Sequence, residues 1–102
     1  MKMSVYQAVN FGYADPMKFN MNGSDYEAVA VVEAATLDEA YELTNNIDGL
    51  WINNEAVVWL SAAVKAAGGC RSTSVGDVIV GRGTFAVASF GFDQIGAKLV
   101  NA

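Results

Sequence analysis

RSTSVGDVIVGRGTFAVASFGFDQI, residues 71–95, is the stretch of sequence that decides the fold. Apolar β-branched residues fill Val78–Val80, and a second strand-like run covers Thr84–Phe90. Only Gly81-Arg82-Gly83 separates the two runs, and β-rich runs joined by a short link with glycine are typical of a hairpin. We therefore predict a C-terminal β-hairpin at about residues 75–90. The glycines of the link are expected to supply the positive φ of its turn.

The best-marked helix lies upstream of this hairpin, at about residues 36–47. Thr36 is a suitable N-cap, and Glu39, three residues later, completes a capping box. Apolar and small residues then recur at helical spacing, which predicts that one side of the helix faces a sheet. The residues on that side are Leu37, Ala40, Tyr41, Thr44 and Ile47.

Three further segments have strand character. Met3–Phe11 alternates moderately between apolar and polar residues, and Tyr26–Ala34 carries apolar residues on both of its sides. Val57–Leu60 predicts a short strand, followed by a helical turn or loop, and the alternative is a helix that begins in this segment and stops at Gly68-Gly69. Together with the hairpin, these elements predict a single α+β domain over residues 1–102. Its sheet is expected to be mixed or antiparallel, with about four to five strands and one main helix packed on it.

Composition indicates a folded protein of a reducing compartment. Apolar residues make up 53% of the chain and charged residues 17%, which argues against intrinsic disorder. The apolar runs are too short to span a bilayer and no signal-peptide core is visible, so we expect a cytoplasmic protein without a membrane partner. The only cysteine, Cys70, cannot form an internal disulfide. It is either a reactive thiol beside Arg71 or a small buried residue.

Acidic residues are concentrated in the middle of the chain. No basic residue occurs between Lys18 and Lys65, and the net charge of −5 disfavours direct binding to nucleic acid. The acidic interval is either a solvated surface or a surface that attracts a basic protein partner. For the second case, the candidate contact residues are Asp38, Glu39, Glu42, Trp51 and Trp59.

The residue inventory leaves little room for catalysis. The chain has no histidine, which excludes Ser-His-Asp and Cys-His arrangements and removes the commonest general base. One cysteine cannot build a thiolate cage, and no pair of carboxylates has a spacing typical of a metal site. We therefore predict no catalytic residue, no metal ion and no cofactor.

One cationic, hydroxyl-rich turn is a candidate binding site. A guanidinium beside several hydroxyls and backbone amides has the chemistry to hold a phosphate or carboxylate. Trp51, Trp59 or Phe92 would then form the walls of the site. The alternative is a structural turn, in which the arginine pairs with a carboxylate of the protein itself. The residues of this turn are Arg71, Ser72, Thr73 and Ser74.

A resemblance to known proteins rests on three runs. These are RSTSVGDVIV at 71–80, LDEAYELTNNID at 37–48 and SFGFDQI at 89–95. The pattern resembles a loosely defined group of small proteins from phages, plasmids and other mobile elements. It is also similar to the YodL-like domain, which carries an Arg-Ser-x-Ser-Val-x-Asp-hydrophobic run before a terminal hairpin. The resemblance covers about Leu37 to Ile95 and implies a genomic setting rather than a reaction.

Two predictions of function follow from these observations. The first is a small non-enzymatic accessory protein of a phage or mobile element, located in the host cytoplasm. It would bind a host or phage protein through its acidic surface, for example to inhibit a defence or nucleic-acid-processing protein. The second is a small module that binds a nucleotide or phosphate at residues 71–74. A homodimer fits the high apolar content of so short a chain.

Overall fold

One antiparallel sheet forms the frame of the described chain. The computed structural model describes residues 1–11, 14–47 and 49–95. Within these residues, the strands are β1 (Lys2–Ala8), β2 (Tyr26–Glu33), β3 (Val57–Leu60), β4 (Val78–Val80), β5 (Thr84–Val87) and β6 (Phe92–Gln94). Their order in the sheet is β3-β2-β1-β4-β5-β6, and every neighbouring pair is antiparallel. The helices are α1 (Leu37–Leu43) after β2 and α2 (Ala62–Ala67) after β3.

The α+β expectation is confirmed, and the expected strand count is only roughly met. The sheet has six strands because β6 pairs with β5 and extends the sheet beyond the hairpin. The hairpin joins β4 to β5 and is shorter than the predicted residues 75–90. The short strand at Val57–Leu60 is present, and the segment after it is the helix α2. By their apolar character, Ile95, Leu99 and Val100 could form a last helical turn or strand, but Leu99 and Val100 lie outside the described residues.

The glycines of the hairpin link do not have the role that the sequence suggested. Among the described residues, positive φ occurs at Gly68 (72°), Gly76 (94°) and Gly91 (74°), and at neither Gly81 nor Gly83. A Cβ on Gly83 would lie 3.1 Å from a ring carbon of Phe85 and 3.1 Å from Nε2 of a β6 side chain. The expectation of positive φ in this link was therefore wrong, and at Gly83 a side chain would instead crowd two neighbouring side chains.

Helix α1 begins as predicted and ends earlier than predicted. Oγ1 of Thr36 accepts from the N–H of Glu39 at 3.1 Å, and Oε1 of Glu39 accepts from the N–H of Ala35 at 3.4 Å. At the other end, the Thr44 hydroxyl donates to the Ala40 carbonyl at 3.0 Å. This side-chain bond competes with continued helix, so α1 stops at Leu43 instead of residue 47. Ile47, expected to face the sheet, is 72% exposed.

The sheet is covered differently on its two faces. Both helices pack on one face, above a core that contains Val5, Val29 and Ile79. On the other face, Phe19 is buried edge-to-face against Tyr6 and Tyr26. We call these the helix face and the Phe19 face. No helix in the described residues is long and apolar enough to cross a membrane, and the cytoplasmic location stays a prediction.

Candidate functional site

Asp77 organises the segment that the sequence marked as a cationic turn. Its carboxylate is 1% exposed and forms a two-pronged ion pair with Arg71, at 2.6 Å from Nη1 and 2.8 Å from Nη2. It also accepts from the N–H of Ala8 at 2.9 Å and from the N–H of Ser74 at 2.8 Å. Four N–H donors therefore satisfy the buried carboxylate of Asp77. A charged group is tolerated in the interior of a protein when it is paired and hydrogen-bonded in this way. We call residues 70–77 the arginine turn.

Backbone groups of the arginine turn bind distant parts of the chain. The Arg71 carbonyl accepts from Nε2 of Gln7 and from the indole Nε1 of Trp51, each at 3.0 Å. The N–H of Thr73, a residue that is fully buried, donates to the Thr44 carbonyl at 2.9 Å. The turn thus connects β1 to the end of α1, and these contacts fix its conformation from several directions.

The ion pair with Asp77 limits the availability of the Arg71 guanidinium to an anionic ligand. Its hydrogen bond to Asp77 raises the pKa of Arg71 above the ordinary value, against the opposing effect of burial. Nη2 also donates to the Ala8 carbonyl at 3.2 Å, and the Phe11 ring centroid lies 4.8 Å from Cζ. An anionic ligand at residues 71–74 would have to displace the Asp77 carboxylate. The geometry thus favours the structural alternative, and anion binding stays a prediction.

The environment of Cys70 favours a protonated thiol. Its Sγ lies 3.1 Å from Oε1 of Gln7 and the residue is partly buried. Burial raises the pKa of the Cys70 thiol, and neighbouring Arg71 offsets only part of this effect. A reactive cysteine needs a lowered pKa, so these surroundings favour the role of a small packing residue.

A second polar region, the acidic cleft, lies between α1 and the chain that follows it. It has a volume of about 440 Å³, and two acidic residues, Glu39 and Glu42, are part of its lining. Leu50, 49% exposed, and Ile47, the most exposed apolar residue of the cleft, also line it. The remaining lining residues are Leu43, Asn45, Gly49, Trp51, Asn53 and Asn54. The cleft therefore combines two carboxylates, several amides and an apolar wall, which is a suitable environment for a long cationic side chain.

Asn46 connects Trp51 of the acidic cleft to the arginine turn. Its Oδ1 accepts from the N–H of Trp51 at 2.9 Å, and its Nδ2 donates to the Cys70 carbonyl at 3.0 Å. Its own N–H donates to Oγ of Ser72 at 2.9 Å. The sequence indicated only that the helix ends near Asn45 and Asn46. Two asparagines after a helix were the one available signal, and they did not show which distant groups Asn46 would bind.

The predicted partner-binding residues do not form one surface. Glu39 and Glu42 lie together in the acidic cleft, whereas Asp38 lines a separate hollow beside Tyr41 and Phe92. Trp51 is 2% exposed and its indole bonds to the arginine turn, so its role is structural.

Trp59 lies apart from these acidic residues. It is 46% exposed and pairs with Val31 across β3 and β2. Val31 is aligned with Ser4 of β1, two residues from Tyr6, so this row of side chains is on the Phe19 face. Trp59 and α1 are therefore on opposite faces of the sheet.

Comparisons with known proteins found no match, so any functional conclusion rests on the geometry of the two polar regions described above. No family model matches the chain, and neither a curated protein nor a solved structure matches it. The resemblance to proteins of phages and mobile elements therefore stays a prediction. Within the part of the chain that the structure describes, no three carboxylate or thiol residues are grouped so that they could hold a metal ion.

Proposed function

We propose that this protein is an interaction module that binds a basic segment of another protein in its acidic cleft. The observation that carries the proposal is that Glu39 and Glu42 line the same cleft as Ile47 and Leu50, which are 72% and 49% exposed. An arginine or lysine packs its aliphatic stem on apolar side chains and directs its charged end to carboxylates. Both requirements are met within one cleft of about 440 Å³.

The charge balance of the chain supports a basic partner over an anionic one. The net charge is −5, and the interval between Lys18 and Lys65 contains only acidic charges. Long-range attraction speeds the encounter with a positively charged partner, and the contacts in the cleft then fix its position. The carboxylates of the cleft differ from Asp77, because the N–H donors and the guanidinium around Asp77 leave it no capacity for a partner.

The wider biological setting is part of the same proposal and rests on the sequence resemblance alone. An accessory protein of a phage or mobile element gains by binding a host protein with a basic surface, such as one that processes nucleic acid. An acidic module can occupy the surface that such a protein uses for phosphates.

A titration with tri-arginine peptide, followed by nuclear magnetic resonance of the backbone amides, tests the cleft. We expect the shifts to be centred on Glu39, Glu42, Leu50 and Asn53, and the affinity to fall as salt is added. Glu42→Gln should weaken binding by about threefold to tenfold, since one charge-assisted contact is lost.

The matched control is Asp93→Asn, which removes one exposed negative charge from β6, the strand at the far edge of the sheet from β3. This variant should bind the peptide as the wild type does. If the shifts spread evenly over all exposed acidic residues, or if Asp93→Asn weakens binding as much as Glu42→Gln, the cleft is not a site and the proposal fails.

A further inference from the structure

An exposed apolar patch on strand β3 is separate from the acidic cleft. In the described residues, β3 is an edge of the sheet and pairs only with β2. Its sequence is Val-Val-Trp-Leu, with no charged residue within it. Val58 is 51% exposed and Trp59 is 46% exposed. Edge strands that remain unpaired commonly carry charges, so an apolar edge of this kind indicates a surface that is covered in the working protein.

A β-bulge explains why two neighbouring residues of β3 are both exposed. The register shifts between Val31, which pairs with Trp59, and Val32, which pairs with Val57, so Val58 is an extra residue in β3. Regular alternation would turn Val58 and Trp59 to opposite faces, and the bulge re-aims them. A bulge also bends the edge away from regular pairing. Association at β3 therefore depends on side chains more than on an extended hydrogen-bond ladder, which favours a closed pair over a growing sheet.

The residues around this patch are self-complementary, since they offer an apolar hollow and two groups of opposite charge to a second copy of the chain. Beside Trp59 is a shallow hollow of about 190 Å³ whose lining includes Ile52, Val57 and Leu60. Lys65 of α2 is the one charged residue that lines the hollow, and exposed Glu55 lies two residues before β3. When two copies of a strand meet antiparallel, the start of each lies beside the end of the other. Glu55 of one copy then approaches the end where α2 of the second copy begins, and the same contact is repeated by symmetry.

We propose that the chain forms a two-fold symmetric homodimer through β3, with Trp59 of each copy packed on the hollow of the other. The two apolar side chains and the hollow form the centre, and two Glu55–Lys65 contacts flank it. The covered surface is small, so we expect a dimer in the micromolar range of Kd. The inference does not depend on the acidic cleft, because the cleft and the hollow share no lining residue.

Sedimentation velocity over a series of concentrations tests the centre of the interface. The wild type should change from monomer to dimer, and Trp59→Lys should raise the Kd by about tenfold or more. Phe90→Lys is the matched control, since Phe90 is 96% exposed on the turn before β6 and an exposed aromatic side chain is likewise replaced by lysine there. Circular dichroism checks that each variant folds, and Val58→Lys replaces Trp59→Lys if the latter does not.

Charge reversal tests the two-fold arrangement. Glu55→Lys places two lysines at each flanking contact and Lys65→Glu places two glutamates there, so each variant should dimerise more weakly by about threefold to tenfold. An equimolar mixture of the two variants pairs opposite charges at both contacts and should recover the wild-type Kd as a heterodimer. A wild type that stays monomeric, a Trp59→Lys variant that dimerises normally, or a mixture no stronger than its components would each overturn the proposal.

Discussion

The arginine turn and the acidic cleft meet at Trp51, yet their charged groups are used in opposite ways. In the turn, Asp77 is 1% exposed and accepts hydrogen bonds from Arg71 and from two backbone amides. In the cleft, Glu42 is exposed and its carboxylate makes no hydrogen bond to another residue of the described chain. A charge that is satisfied inside the protein stabilises the fold, and a charge that faces a solvent-filled cleft remains available to a partner.

The largest expected effect comes from removing the buried carboxylate. Asp77→Ala should lower the free energy of unfolding by about 3–5 kcal/mol, since it leaves Arg71 without its counter-charge and the amides of Ala8 and Ser74 without an acceptor. Urea denaturation followed by circular dichroism measures the change. Asp93→Asn, at an exposed carboxylate, is the control and should change stability by less than about 0.5 kcal/mol. A loss below about 1 kcal/mol for Asp77→Ala would contradict the assigned role of the arginine turn.

The contrast between local and distant contacts explains how much could be predicted from the sequence. The N-cap at Thr36 and the hairpin around Gly81–Gly83 depend on neighbouring residues, and both are found in the structure. The reciprocal bond of the capping box is shifted by one residue, because Glu39 accepts from the N–H of Ala35. Pairing of Arg71 with a carboxylate was one of two open alternatives, and its partner is only six residues away. Local sequence could not distinguish an internal ion pair from an anion-binding site, because the difference depends on which groups are buried.

Contacts between distant residues could not be predicted in this way. Nε2 of Gln7 and Nε1 of Trp51 meet at the Arg71 carbonyl from positions 64 and 20 residues away. The sequence therefore suggested Trp51 as a partner contact, although the structure buries it. The bulge at Val58 depends in the same way on register with β2, which is why the exposure of Val58 beside Trp59 appeared only in the structure.

An intermediate loss of stability is expected at alkaline pH, and it tests the contact between Tyr26 and the arginine turn. The Tyr26 hydroxyl donates to the Gly76 carbonyl at 2.6 Å. Burial, followed by the nearby charge of Asp77, raises the pKa of Tyr26 from 10.0 to about 12. The folded state therefore keeps a proton that the unfolded chain loses. The stabilising contribution is present below pH 10 and declines by about 1.4 kcal/mol per pH unit as the pH rises toward 12.

Tyr26→Phe separates this contribution from other alkaline titrations. The variant should lose about 1 kcal/mol at neutral pH, because the hydrogen bond to Gly76 is gone. Its stability should then fall less steeply than that of the parent between pH 10 and 12. Both proteins should carry Cys70→Ala, since burial also raises the pKa of that thiol and would add its own alkaline loss. Parallel stability curves for the two proteins would indicate that Tyr26 is not protected.

The smallest effect on stability is expected for substitutions of the acidic residues in the cleft. Glu42→Gln changes an exposed side chain without a hydrogen bond to the described residues, so the free energy of unfolding should change by less than about 0.5 kcal/mol. Glu39→Gln should behave similarly, because an amide oxygen can still accept from the N–H of Ala35. Urea denaturation of both variants measures the change. A loss of more than about 1 kcal/mol would mean that these carboxylates support the fold as Asp77 does. A neutral result, combined with weaker binding of tri-arginine, would show that the charge is retained for a partner and not for stability.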